Sequence, residues 1–346
     1  MTEMFLEKRQ LKKELFVFLI ITFAATYLLD FMVYMIYGLK TTSNATVWGL
    51  TPVAHMLFPA AAAIICMFYF KSSALTRETK IVFALFFSYM VLFFFETYVY
   101  PIMGTIGVLP LASSVIAILG FLTVFMLHLK KQWRRGLKPS RLFIGKNLRY
   151  YIILPVAIFT VILASLILNY ITGLGVPSQE FNLYLFFVTF INMMFMGIFL
   201  LWPSVFGEEY GWRVYLQDRL FPLLGGYRGV LVLGIIWGIW HTPTILLGNN
   251  FPGQPILGNV AMIFFTIAVG IILSYAVLKT GSVWIAVLIH LIIDMMQVPS
   301  ETYIAISIHP VFSFGSGIYG SVIIAVFSII LLRSKVWKNL KIRESN

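Results

Sequence analysis

The chain has 346 residues, of which 60% are hydrophobic, 16% aromatic and only 11% charged, with a formal net charge of +12. So few polar side chains cannot clothe a water-soluble globule of this size, and the apolar residues come in long runs, which excludes a pair of ordinary soluble domains. A nucleic-acid partner is excluded too, because the Lys and Arg residues fall in short clusters between the apolar runs, where they act as an orientation signal.

A helix needs about 20 mostly apolar residues to cross the hydrocarbon core. On that rule the chain reads as an all-α polytopic integral membrane protein with about ten transmembrane helices, at 15–37, 48–70, 81–100, 105–129, 150–171, 181–205, 228–248, 258–278, 282–298 and 311–332. The first follows a charged stretch and has no small-residue cleavage site after it, so it is expected to be retained and not removed as a signal peptide. Pro52, Pro59 and Pro203 mark pieces expected to kink or re-enter, and the ninth span is short. The single cysteine, Cys66, lies inside the second run, so neither an intramolecular disulfide nor a cysteine metal site forms.

The loops test this count. Lys8, Arg9, Lys12 and Lys13 precede the first span, and Lys71, Arg77 and Lys80 lie between the second and third. Eight Lys and Arg residues from Lys130 to Arg149 separate the fourth span from the fifth. Arg213, Arg219 and Arg228 follow the sixth, Lys279 the eighth, and Arg333, Lys335, Lys338, Lys341 and Arg343 the last, whereas the alternate loops hold only Lys40. The positive-inside rule then puts both termini and every basic loop in the cytoplasm. With no organelle signal in view, the expected home is the plasma membrane, as a multi-pass protein. The basic loop also divides the chain into a four-helix region at 1–149 and a six-helix region at 150–346.

Ionisable side chains within spans are the informative ones, because hydrocarbon makes them costly. They concentrate in the second region. Glu208 and Glu209 are read as ending the sixth span, His241 lies in the seventh, and His290 and Asp294 lie in the ninth. Glu209 and Arg213 are four residues apart, as are His290 and Asp294, so on a helix each pair shares one face; Trp237 and His241 repeat the interval. At 1.5 Å per residue His290 lies about 12 Å from the cytoplasmic start of its span and His241 about 20 Å from Arg228, so the groups converge in the inner half of the bilayer.

Two imidazoles and one or two carboxylates in a wet membrane cavity are equipped to activate water: a carboxylate takes the proton, a histidine orients or shuttles it, and a further polar pair stabilises an oxyanion. Pairing with Arg213 would commit Glu209 to support and leave Glu208 for chemistry. The alternative use of the same atoms is a divalent metal such as zinc, with His241, His290, Asp294 and Glu208 as candidate ligands.

These residues resemble the signature of the CAAX-protease and bacteriocin-processing (CPBP, or Abi) family of intramembrane endopeptidases. Its Glu-Glu-x-x-x-Arg motif stands here as Glu208-Glu209-Tyr210-Gly211-Trp212-Arg213, its aromatic-x-x-x-His motif as Trp237-Gly238-Ile239-Trp240-His241, and its His-x-x-x-Asn/Asp motif as His290-Leu291-Ile292-Ile293-Asp294. The resemblance covers roughly 180–300. It implies cleavage of a peptide bond in or near the membrane, in a membrane-associated or lipidated peptide or protein. Eukaryotic and archaeal members remove the C-terminal tripeptide of prenylated proteins, and bacterial members are linked to bacteriocin immunity, peptide maturation and envelope control. It also implies that Glu208 and His241 activate water, that His290 and Asp294 form an oxyanion or metal site, and that Glu209, Arg213 and Trp237 support them. Two departures are Trp237 where Phe is common, a mild change, and Asp294 as the allowed alternative to Asn. An ionised Asp only accepts hydrogen bonds, so Asp294 carries a proton, orients His290 or ligates a metal. Both glutamate-dependent and metal-dependent mechanisms have been described for the family, and here the two stay open.

Other polar groups carry blander expectations. Asp30 and Glu96 are expected to pair with His55 in a structural network, with a substrate path as the alternative; His128 reads as interfacial and His309 as a loop residue without chemistry. Tyr210, Trp212, Tyr215 and Phe221 read as interfacial anchors or a substrate lip. Two further functional classes remain beside the protease: a non-proteolytic immunity or scaffold protein that retains the motifs, and, last, a proton-coupled transporter using Asp30 or Glu96, for which no inverted repeat speaks.

Overall fold

A computed structural model of the chain describes residues 2–38, 43–103, 111–338 and 340–341. Lys40, Arg343 and the start of the fourth expected span at 105–110 lie outside the described residues. Within hydrocarbon every backbone N–H and C=O needs a partner in its own segment, and helices supply one. The four-helix region comprises α1 (Thr2–Tyr37), α2 (Ala45–His55), α3 (Phe58–Tyr69), α4 (Arg77–Phe94), α5 (Leu111–Leu129) and the short α6 (Lys131–Leu137). There follow α7 (Tyr150–Ile171), β1 (Gly175–Val176), α8 (Leu183–Met196), α9 (Trp202–Glu209), α10 (Gln217–Leu224), α11 (Gly226–Trp240) and α12 (Thr242–Leu246). The chain closes with α13 (Pro255–Thr280), α14 (Trp284–Met295), α15 (Gln297–Tyr303), β2 (Ile306–Ser307) and α16 (Ile318–Leu332).

Among the described residues, eight helical stretches are long and apolar enough to cross a bilayer, and the shorter apolar α11 and α16 occupy the remaining two expected positions. Three spans are less simple than their apolar runs suggest. The second breaks into α2 and α3 just ahead of Pro59, which has no N–H to continue the ladder. The ninth bends between α14 and α15. The sixth does not stop at its glutamates: from Leu183 a continuous helical stretch of 42 residues runs to Leu224, with π-helical turns at Gly197–Leu201 and Tyr210–Leu216. Gly225, at φ +82°, then ends it.

The two ends of the bundle differ in charge. At one, the Lys130–Arg149 loop packs on the start of α14: the Val283 N–H donates to the Arg141 carbonyl (3.0 Å), and the Lys146 N–H to Thr280 (2.9 Å). Arg141 grips Asp218 with two bonds of 3.0 and 2.8 Å, and Arg219 pairs with Glu14 at 2.9 Å. These basic segments share one end, as the alternation of loop charge requires. At the other end β1 and β2 pair antiparallel, Gly175 with Ser307 and Val176 with Ile306. A single contiguous core joins both regions, from Phe18 and Ala60 through Phe206 and Trp212 to Leu273 and Trp337.

Close backbone approach makes that core possible. Gly207 and Gly211 bracket the two glutamates and face the break between α2 and α3; a Cβ on Gly207 would lie 2.9 Å from Leu57 Cα, and one on Gly211 2.5 Å from the Pro59 carbonyl carbon. Gly234 and Gly238 seat α11 on α13 in the same way, at 2.6 Å from Ile267 Cα and 2.7 Å from Ile263 Cα. Gly207→Ala and Gly211→Ala are therefore expected to destabilise the protein by about 1–3 kcal/mol, the usual range for overpacking. Thermal unfolding in detergent checks this, with Gly49→Ala as control, since nothing stands within 4 Å of its Cβ position and its melting point should not fall.

Candidate active site

Glu208 and Glu209 sit in the middle of a long helical stretch, and the segment after them is core, not interface. Tyr210, Trp212, Tyr215 and Phe221 are each buried, so they are neither anchors at the headgroups nor an open lip. Their apolar faces pack against α1, α3 and α4, with Phe18 edge-on to Trp212 and Phe83 edge-on to Tyr210. That packing carries Arg213 inward. Its guanidinium is 0% exposed, lies 3.3 Å from Glu209 Oε2, and covers the Trp237 ring at 4.0 Å from the centroid. The expected Glu209–Arg213 pair therefore forms, across the junction of α9 and its π turn.

Glu209 has a second partner. Its Oε1 lies 2.8 Å from His290 Nδ1, while His290 Nε2 faces Asp294 Oδ1 at 3.5 Å. His290 and Asp294 share a face of α14, as their spacing predicts, and Glu209 extends that pair into a line of four groups, Arg213–Glu209–His290–Asp294. His290 is six residues past Trp284, the first residue of α14, about 9 Å of rise.

The second motif meets the first through Trp237. Its indole N–H donates to Glu208 Oε2 at 2.6 Å, a hydrogen bond for which phenylalanine has no atom. The Trp237 side chain is thus more than a mild variant of an aromatic position. Its backbone carbonyl accepts from His241 Nδ1 at 2.8 Å. Because a carbonyl only accepts, that bond puts the Nδ1 proton in place and leaves Nε2 as the lone-pair nitrogen. His241 does not lie inside a helix: it follows the last residue of α11 and precedes α12, which starts with Pro243 in its first turn. Trp240, edge-on to His241, donates through its indole to Thr26 on α1 at 2.8 Å.

The structure thus joins the sequence-predicted residues in two linked sets, Glu208–Trp237–His241 and Arg213–Glu209–His290–Asp294, with the Arg213 guanidinium stacked on Trp237 between them. Of the remaining polar groups, Asp30 pairs with His55 (Oδ1 to Nε2, 3.0 Å), both buried, and the His55 ring meets Trp240 edge-on. Glu96 does not join that pair: it accepts from the Ala112 and Ser113 N–H groups at 2.6 and 3.1 Å, in the first turn of α5. His128 bonds the Val124 carbonyl and the Ile144 N–H, and His309 is exposed.

As arranged, these donors do not converge on one point. Both nitrogens of His290 face carboxylates, His241 keeps only Nε2, and among the described residues no three His, Cys, Asp or Glu side chains group as a metal-ligand set.

Comparison with known proteins bears out the resemblance carried by the three motifs. Residues 185–296 match the model of the Rce1-like type II CAAX prenyl endopeptidases. Over 143 residues the chain is 29% identical to a protein of Methanococcus maripaludis named CAAX prenyl protease 2. That match covers 40% of this chain and spans about half (51%) of the length of the relative.

After dialysis against zinc, the purified protein is expected to hold well under one metal per chain by elemental mass spectrometry. One zinc per chain, lost in both His241→Ala and His290→Ala, would reverse the geometric reading.

Proposed function

We propose that this protein is an intramembrane endopeptidase that hydrolyses a peptide bond of a membrane-associated protein or peptide by attack of an activated water. The observation that carries the reading is the 2.6 Å bond from the Trp237 indole to Glu208, which aims one carboxylate while Arg213 engages its neighbour. Glu208 takes the proton as water oxygen bonds to the carbonyl carbon. His241, with Nε2 open, orients the water or relays that proton to the leaving amine as the C–N bond breaks. His290, held through Nδ1 by Glu209, donates from Nε2 to the oxyanion, since the 3.5 Å contact of that nitrogen with Asp294 leaves its N–H able to turn to the substrate. Each step uses groups of the chain itself. The family match at 185–296 and the name of the archaeal relative support the same class of reaction.

The test reconstitutes the protein in liposomes with the membrane peptide fraction of its host and reads new termini by mass spectrometry. Wild type is expected to create termini that Glu208→Gln and His241→Ala lose, with turnover down by about 10²–10⁴, the range for loss of a general acid or base. Full activity in both variants would sink the reading. Termini absent from folded wild type as well would favour the immunity or scaffold class.

Trp237→Phe keeps an aromatic face for Arg213 and removes the indole N–H that bonds Glu208. A hydrogen bond to a charged group contributes about 1.5–3 kcal/mol, so turnover is expected to fall about 10- to 100-fold in protein that stays folded, with the melting temperature lowered by a few degrees as buried Glu208 loses its donor.

A further inference from the structure

Hydrolysis within a bilayer needs a way in for water and for a peptide, and a cavity with polar groups on a largely apolar lining reaches the buried array. A cavity of about 370 Å³ opens between α7, α14 and α15 and the loops at 250–252 and 305–316. Asp294 lines it together with Asn250, Gln297, Glu301, Ser307 and Ser316. The Asp294 side chain is 33% exposed, against 8% for His290 and 0% for Glu209 and Arg213, so the Arg213–Glu209–His290–Asp294 line is open at its Asp294 end. Behind the array, Phe206, Trp212 and Leu216 are fully buried and close the opposite approach. The cavity mouth lies at the end of the bundle that carries β1 and β2, away from Arg141 and Lys146, and the loop charges assign that end to the outside.

Chemistry narrows the occupant. Asp294 and Glu301 present two carboxylates to the cavity, and no Lys or Arg lines it. Its volume falls at the lower end of the roughly 300–1,000 Å³ usual for ligand sites. The geometry points to a binding cleft for a cationic, hydrated peptide segment delivered from the extracytoplasmic side, with a basic side chain near Glu301 and the scissile bond beside Asp294, the one residue of the array on its lining. This inference rests on the endopeptidase reading and adds the side and the charge of its substrate. The competing entrance is an apolar groove of about 320 Å³ in the cytoplasmic half, lined by Trp202, Trp284, Leu288 and Leu291, which would suit a lipidated chain from the inner leaflet. It presents none of the ionisable site residues.

The fully buried Cys66 allows a low-background test. In a Cys66→Ala protein, Ser316→Cys and, separately, Gln297→Cys are exposed to membrane-impermeant methanethiosulfonates, cationic (ethyltrimethylammonium) or anionic (ethylsulfonate), in right-side-out and in inverted membrane vesicles. Modification is expected in right-side-out vesicles alone. Relative to a free thiol, the cationic reagent should react about fivefold faster than the anionic one, and Glu301→Gln should remove that preference. Within each variant, modification should abolish hydrolysis.

The two readings fail separately. Hydrolysis that survives modification overturns the cleft and leaves the endopeptidase standing. Modification only in inverted vesicles, or cleavage of a prenylated peptide that Leu288→Trp stops and cavity modification does not, also overturns the cleft and assigns entry to the inner leaflet. If the unmodified protein cuts nothing, protection decides. A short oligolysine peptide that slows modification from outside retains the cleft and removes the endopeptidase, and a peptide without effect removes both.

Discussion

A guanidinium buried completely inside a membrane protein is the constraint on which the site depends. On insertion scales a charged side chain at the middle of a membrane helix costs about 2.5–3.5 kcal/mol, so Arg213 must be neutralised where it lies. Glu209 does so on one side and the face of Trp237 on the other. Each of these has a second task. Glu209 reaches on to His290, and Trp237 reaches on to Glu208 and, through its carbonyl, to His241. Removing one member of a buried charge pair commonly costs about 3–5 kcal/mol, which ties the positions of the remaining groups to the presence of Arg213.

The four-helix region outside the matched segment is part of this arrangement. The break between α2 and α3 supplies the surface against which Gly207 and Gly211 pack, so the backbone that presents Glu208 and Glu209 is set by residues 56–59. On the far side, Thr26 and the Asp30–His55 pair surround Trp240, the residue before His241. A partly exposed imidazole at the end of a helix, where backbone order is weakest, thereby gains a rigid neighbour. The N-terminal helices act as a wall behind the second motif.

Water access sets a direction on the molecule. Aromatic packing around Phe206 and Trp212 closes one side of the array, while Asp294 opens on the cavity beneath the β1–β2 pairing. A two-stranded pairing of loops at that end is a small element, yet it includes residues 306–307 that line this cavity. The polar groups there need not be satisfied within helices, because irregular backbone is tolerated at such depth when it borders a wet space.

Much was legible in the residues because hydrocarbon imposes strict local rules: helices of about 20 apolar residues, Lys and Arg on one side, and ionisable groups only where they serve. Those rules yielded the polytopic helical plan, the common side of the basic loops and the ionisable residues within spans, and helical spacing alone paired Glu209 with Arg213 and His290 with Asp294. Other features were decided by tertiary contact, for reasons that no local pattern holds. The aromatic residues after Arg213 have the composition of an interface and become core because two glycines admit the α2–α3 backbone beside them. Glu96 leaves Asp30 and His55 because the N–H groups of Ala112 and Ser113, in the first turn of α5, donate to its carboxylate. Trp237 carries an indole N–H that phenylalanine lacks, and its weight appears only when folding sets Glu208 2.6 Å away. Periodicity along one helix specifies which side chains share a face; which foreign atom meets that face depends on helices distant in the chain, and that only the folded packing determines.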